Sequence, residues 1–209
     1  MSETVWISAA PGHPSNLRPF RHDIDERDPE LSAPLADRVE FAEAIAADEL
    51  PKVIFGAPDA EEKDYRLPDL FYAYGVWVVS SAAAAVLRQA DLGESPLAPV
   101  AVLKRDKTTP VGGEWFCFSI ANCKDALIPG ESRNMRERYI RNGRKGWFLR
   151  ADAKDEDVAV STAALAGPDV WRDVNVGDAM FFSDTIVSGL KKAKATKGFF
   201  LSKCRVSDN

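Results

Sequence analysis

Histidine and cysteine, the side chains most often used in catalysis and metal binding, are few in this sequence and poorly spaced for either task. Both histidines, His13 and His22, lie in a proline-rich N-terminal stretch. The three cysteines are widely separated, and no Cys-x-x-Cys or His-x-x-x-His spacing of a structural zinc site occurs. We therefore expect no metal and no cofactor. One alternative stays open, an enzyme in which Cys123 and His22 form a nucleophile–base pair with Asp125 nearby.

Glycines and serines show no catalytic pattern either. Gly112-Gly113 leads into a strand rather than a helix, which argues against a phosphate-binding loop. No G-x-S-x-G turn occurs, and Ser80, Ser81 and Ser183 directly precede helical patterns, as helix caps do. We therefore expect that the protein is not an enzyme.

Acidic residues are concentrated towards the N-terminus. The chain has a net charge of −5, but residues 1–70 hold 16 acids and 7 bases, a net charge of −9, and the rest has a net charge of +4. Within this region five acids crowd eight positions, and we predict that they bind a partner protein. This acidic segment comprises Asp23, Asp25, Glu26, Asp28 and Glu30.

A basic cluster over residues 133–145 is the alternative partner-binding surface. Six bases are opposed there by Glu137 alone, and Tyr139 is available for stacking on a nucleobase. The bases are Arg133, Arg136, Arg138, Arg141, Arg144 and Lys145. The cluster also fits a solvated helix and loop whose Met135, Tyr139 and Ile140 face inward. Because the whole chain is acidic, nucleic acid is the less favoured partner.

Two stretches of the chain share a pattern of strand, serine cap, helix and strand. The first unit consists of a buried strand over residues 70–79, the cap Ser80, a helix from Ala82 and a strand over residues 97–103. The second unit consists of a strand over residues 178–182, the cap Ser183, a helix over residues 185–194 and a closing strand from Phe199. Aligning the caps places Leu87 on Leu190. Neither unit can bury its apolar face alone, so we expect them to share one core.

The N-terminal part of the chain has a different pattern, rich in proline. Residues 11–35 contain five prolines and predict irregular chain, followed by a helix over residues 37–49 and a strand over residues 53–55. The fold class expected is α+β, a mixed β-sheet with two similar strand–Ser-capped helix–strand units and a partly irregular N-terminal segment. We divide the chain into an acidic, Pro-rich segment (1–68) and a core module (69–209) within one compact domain.

Composition indicates a soluble globular protein. The 209 residues are 45% hydrophobic with a mean hydropathy of −0.23. No apolar run approaches the roughly 18 residues of a membrane span, and the N-terminus lacks the pattern of a secretion signal. Three scattered cysteines favour the reduced thiols of a cytoplasm. We therefore expect a cytoplasmic protein without membrane partners.

The order of these motifs resembles immunity protein family 11. That family shows a strand that ends in a serine and helix, an aromatic strand that leads to an Asn-x-x-Asp step with a serine soon after, and a second serine-capped helix before a glycine–aromatic strand. The matching elements here are Val79-Ser80 to Leu87, Asn122-Cys123-Lys124-Asp125 with Ser132, Phe182-Ser183 to Leu190, and Gly198-Phe199-Phe200. The resemblance covers roughly residues 69–206.

The resemblance implies a cognate immunity protein of a bacterial polymorphic toxin system, which binds the catalytic domain of the toxin and blocks it. It supplies no catalytic residues. Many such toxins are basic nucleases, which is why the acidic segment is our first choice for the interface. The enzyme with Cys123, His22 and Asp125, and a nucleic-acid binder that uses residues 133–145, are the alternatives.

Overall fold

The computed structural model describes residues 4–58, 66–140, 143–150 and 152–208. Most of the described strands form two sheets. The smaller sheet contains β1 (Val5–Ser8), β9 (Cys123–Lys124), β13 (Val170–Asp173), β14 (Met180–Ser183) and β15 (Leu201–Lys203). The larger sheet contains β2 (Leu17–Arg18), β3 (Phe20–His22), β4 (Val53–Gly56), β5 (Leu70–Ala73), β6 (Val76–Ser80), β7 (Leu97–Leu103) and β8 (Trp115–Phe118).

Two strand pairs and four described helices complete the architecture. The pairs are the antiparallel β10 (Met135–Tyr139) with β11 (Lys145–Leu149), and the parallel β12 (Ala159–Ser161) with β16 (Arg205–Ser207). The helices are α1 (Asp23–Arg27), α2 (Pro29–Glu40), α3 (Ser81–Leu87) and α4 (Asp184–Lys192). Helices beside sheets that mix parallel and antiparallel pairs define the predicted α+β class.

The helices α3 and α4 each connect two strands that are not neighbours in their sheet. In the larger sheet β8 lies between β6 and β7 and is antiparallel to both, and in the smaller sheet β1 lies in the same way between β14 and β15. Ser80 Oγ accepts the N–H of Ala83 at 3.3 Å and caps α3. Ser183 occupies the corresponding position before α4, but its hydroxyl makes no capping bond.

The strands β13 and β14 of the smaller sheet are buried on both faces. Met180 and Phe182 point towards the larger sheet and the helices, while Phe181 and Trp171 point into a second apolar cluster. The helices α3 and α4 pack closely where Val86 meets Gly189, since a β-carbon added to this glycine would lie 2.6 Å from Val86 Cγ1. The two sheets therefore share a core that contains both helices.

The N-terminal segment is more ordered than its prolines predicted. The expectation of irregular chain over residues 11–35 was wrong, because β2, β3, α1 and the start of α2 lie there. The helix predicted over residues 37–49 was also wrong. The helix α2 begins at Pro29, in the first turn, where the missing N–H of proline has no helical partner to lose. It ends at Glu40, two residues before Ala42, which has a φ of +55°. Buried Leu35 and Val39, one turn apart, hold α2 on the core.

The single strand predicted over residues 70–79 is a hairpin. Tyr74 and Gly75, with φ values of +44° and +101°, form the tight turn between β5 and β6. Strands of residues 1–68 pair with strands of both sheets, β1 with β14 and β4 with β7. The division of the chain at residue 68 stays a prediction.

Candidate functional site

The acidic segment folds as α1 and the beginning of α2. Its members, Asp23, Asp25, Glu26, Asp28 and Glu30, are brought together on this short stretch. Asp23, Asp25 and Glu26 lie in the first turn of α1, and Glu30 lies in the first turn of α2. Negative side chains at these positions are stabilised by the partial positive charge of a helix N-terminus. The cluster therefore has a local structural reason to be acidic.

Three of these acids interact with groups of their own chain. Asp25 pairs with Arg21 at 3.1 Å, and Glu26 pairs with Lys107 from beyond β7. Asp23 accepts the backbone N–H of the residue just before β4 at 3.3 Å. Two of the five negative charges are thus paired with bases of the chain, and the acidic segment presents less uncompensated charge to a partner than the sequence suggested.

His22 is a structural residue of the larger sheet. Its Nδ1 accepts the backbone N–H of Asp25 at 3.1 Å and so caps α1. Its Nε2 donates to the carbonyl oxygen of Tyr74 at 3.0 Å. Burial lowers the pKa of His22, which keeps the imidazole neutral. Both ring nitrogens are therefore occupied, and neither is available as a general base.

Cys123 and Asp125 lie near the smaller sheet, away from these partners of His22. Burial raises the pKa of the Cys123 thiol, which is the opposite of what an activated nucleophile needs. Asp125 accepts a hydrogen bond of 2.7 Å from the Asn175 side chain. Within the described ranges no hydrogen bond joins these groups to His22, so the nucleophile–base site considered from the sequence is not assembled.

Most of the described part of the basic cluster belongs to a β-hairpin, β10–β11, which we call the basic hairpin (described residues 135–140 and 143–149). The alternative prediction of a helix over this cluster was wrong, because Met135–Tyr139 form a strand. The prediction that Tyr139 faces inward was also wrong, since this residue is 72% exposed. Among the described strands β10 pairs with β11 alone, so its outer edge is free. Arg141 lies outside the described residues. The side chains of Arg136, Arg138 and Arg144 are exposed.

The arginines of the basic hairpin have few acidic partners. Glu137 pairs with Lys145 at 2.9 Å. In the part of the chain that the structure describes, no carboxylate lies within 4.0 Å of the guanidinium of Arg136, Arg138 or Arg144. The hairpin is therefore an exposed, positively charged element whose charge is largely available to a partner.

Sequence reasoning gave no role to Arg172, a residue of β13. Its side chain is buried, with 6% of the residue exposed, and its Nη2 donates to the carbonyl oxygen of Gly177 at 3.0 Å. Burial lowers the pKa of Arg172. It lies where β13, the end of α2 and the basic hairpin meet, beside a cavity of about 430 Å³.

Comparison with known protein families decides the relationship of the chain. The model of the Immunity protein family (Imm11) matches residues 18–205. The chain belongs to this family. The resemblance found over residues 69–206 is thus confirmed, and the match extends further, so that it includes both the acidic segment and the basic hairpin of this Imm11 protein. No protein of curated function matches the chain.

None of the described helices has both the length and the apolar character needed to cross a bilayer.

Proposed function

We propose that the chain is an immunity protein that binds the catalytic domain of a cognate bacterial toxin and neutralises it by direct contact. The observation that carries this proposal is the Imm11 match over residues 18–205. An immunity protein protects the cell that contains it, so the proposed place of action is the cytoplasm. The toxin is proposed to be an effector domain such as a nuclease.

The balance of local charge supports the basic hairpin as the first surface to meet the toxin. The basic hairpin (residues 135–149) contains five bases and one acid, whereas residues 21–30 contain five acids and two bases. Glu26 is further compensated by Lys107. Because uncompensated exposed charge steers association, the hairpin has the stronger claim, and the acidic segment remains the competing proposal.

The shape of the basic hairpin supports the same choice. A standard protein–protein interface buries about 1,600 Å² in total and is enriched in tyrosine and arginine at its centre. The hairpin offers exposed Tyr139 between Arg138 and the turn, and β10 has a free edge that could receive a strand of the partner. An acidic patch on the toxin would complement this surface.

Two charge variants test which surface the toxin meets. We expect Arg136→Gln/Arg138→Gln/Arg144→Gln to slow association with the toxin domain encoded beside this gene by about ten-fold at low salt, and to flatten the salt dependence. Melting temperatures should change little, because these side chains are exposed. Stopped-flow or surface-plasmon measurements at several salt concentrations give the rates.

The matched comparison is Asp23→Asn/Asp25→Asn/Glu26→Gln/Asp28→Asn. If this variant slows association and the arginine variant does not, the acidic segment is the surface that steers the toxin. Unchanged rates in both variants would exclude both surfaces.

The exposed Tyr139 beside arginines is also the observation that favours nucleic-acid binding as the second candidate function. Titration of a generic RNA oligonucleotide discriminates the two. A nucleic-acid binder would show an affinity that falls steeply with salt and that the arginine variant abolishes. We expect no such binding at physiological salt.

A further inference from the structure

A cavity of about 430 Å³ opens beneath the basic hairpin. Its walls come from three parts of the fold: the C-terminal end of α2, the hairpin, and the strands β9 and β13 with the turn that follows β13. Glu40, Cys123, Ile140, Arg144 and Arg172 are among the residues that line it. The hairpin is thus both the proposed docking surface and one wall of this cavity.

Arg172 is buried, lines the cavity and has no carboxylate close to it among the described residues. A guanidinium has five N–H donors, and within the described ranges this one makes one hydrogen bond, to Gly177. Among the acids around it, Glu40 and Asp178 stabilise its charge most, but neither carboxylate comes within 4.0 Å of it in the described structure. A buried charge is costly unless it is paired, so this arrangement favours an anion from outside.

Asp173, which also lines the cavity, does not supply that anion. Its Oδ2 accepts the N–H groups of Ala126 and Leu127 at 2.8 and 2.9 Å, and its Oδ1 accepts the N–H of Asn175 at 2.9 Å. The carboxylate is therefore committed to the backbone that follows β9 and β13. It holds the wall of the cavity in place and leaves Arg172 unpaired.

A second guanidinium lines the same cavity from the hairpin side. Arg144 is exposed, and its Nη2 donates to the carbonyl oxygen of Val174, which fixes the side chain across the wall. Two guanidinium groups line this one cavity, and a carboxylate accepts paired N–H bonds from such planar donors. Two carboxylates line the cavity and would repel an incoming anion: Asp173, which three backbone N–H groups stabilise, and Glu40.

We propose that this cavity receives a carboxylate of the partner toxin, an aspartate or glutamate side chain that pairs with Arg172 and Arg144. The proposal rests on the proposed function, because the occupant is part of the toxin. Ile140 and Arg144 belong to the turn end of the hairpin and line the cavity, so a protein docked on the hairpin covers its opening. An acidic side chain at the edge of that contact reaches Arg172.

The sharpest test removes the competing carboxylate of this chain. We expect Glu40→Gln to tighten binding of the toxin domain about three- to ten-fold, because the repulsion of the incoming carboxylate is lost. The control is Asp37→Asn, on the same helix but outside the cavity, which should leave the affinity unchanged. If Glu40 instead serves as the counter-ion of Arg172, Glu40→Gln will weaken binding and lower the melting temperature, and the proposal is overturned.

Arg172→Lys keeps the charge but removes the paired N–H donors. It should weaken toxin binding about ten-fold or more, and circular dichroism must show that the variant is folded. Arg144→Gln, at an exposed position, tests the same site with little risk to the fold and should also weaken binding. Unchanged affinity in Arg144→Gln and in folded Arg172→Lys would contradict the proposal.

A carboxylate probe examines the cavity without the toxin. Succinate, titrated at constant ionic strength into the uncomplexed protein, should shift the amide resonances of Cys123 and Gly177 in a saturable way that Arg172→Lys abolishes. Shifts no larger than those caused by sodium chloride would overturn the anion site. Failure of the wild-type chain to bind the toxin, together with saturable succinate shifts, would instead reject the proposed function and leave the anion site supported.

Discussion

Leu190→Ala and Leu87→Ala are each expected to lower the free energy of unfolding by about 2–5 kcal/mol. Both leucines are fully buried, one on α4 and the other on α3, in the core that the two sheets share. Truncation removes apolar surface from that core and leaves a cavity, because the packed helices can relax only in part. Urea unfolding followed by circular dichroism measures the loss.

The control is Leu31→Ala on α2, where the leucine is 54% exposed. It should change the free energy of unfolding by about 0.5 kcal/mol or less. Losses below about 1 kcal/mol for both Leu87→Ala and Leu190→Ala would mean that the apolar faces of α3 and α4 are not packed as the structure shows.

Gly198→Ala is expected to destabilise the protein by more than about 3 kcal/mol, because it combines two penalties. Gly198 has a φ of +90°, which is unfavourable for any residue with a β-carbon. An added β-carbon would also overlap the carbonyl oxygen of Leu70 and lie 3.0 Å from Asn16 Oδ1. The Asn16 side chain donates to the Gly198 carbonyl at 2.8 Å, so this contact joins the N-terminal segment to the region before β15.

Alanine variants at two further glycines separate the penalty of backbone strain from the penalty of steric overlap. Gly167 has a φ of +73° but open space around it, so Gly167→Ala reports the backbone strain alone, about 1 kcal/mol. Gly130 has neither a positive φ nor a close neighbour, and Gly130→Ala should be near neutral. If Gly198→Ala costs no more than Gly167→Ala, the close approach of Leu70 is not present in solution.

The sequence predicted best the elements whose signals are local. Ser80 and the apolar residues of α3 lie within one short stretch, and the structure has Ser80 at the N-cap of a helix that spans Ser81–Leu87. The strands of the N-terminal segment carry no comparable signal, because their partners are remote: Val5 of β1 pairs with Ser183 of β14. Of the prolines that suggested irregular chain, Pro29 is accommodated at the start of α2, whereas Pro34 lies inside the same helix.

The charged regions were harder to predict. Hydrophobic periodicity identifies strands only when one face is buried, and β10 is exposed over residues 136–139, so the basic hairpin resembled a solvated helix. The pairing of Glu26 with Lys107 depends on the tertiary fold. The surroundings of Arg172 likewise depend on the end of α2 and on the hairpin, which are remote in sequence. The neighbouring residues Trp171 and Asp173 do not indicate that this arginine is buried.

Growth of bacteria that express the neighbouring toxin domain, with and without this chain, tests the central claim most directly. If the chain is an immunity protein, co-expression restores growth, and the two proteins elute as one complex on gel filtration. Continued growth arrest, with both proteins present in soluble form and eluting separately, would contradict the assignment.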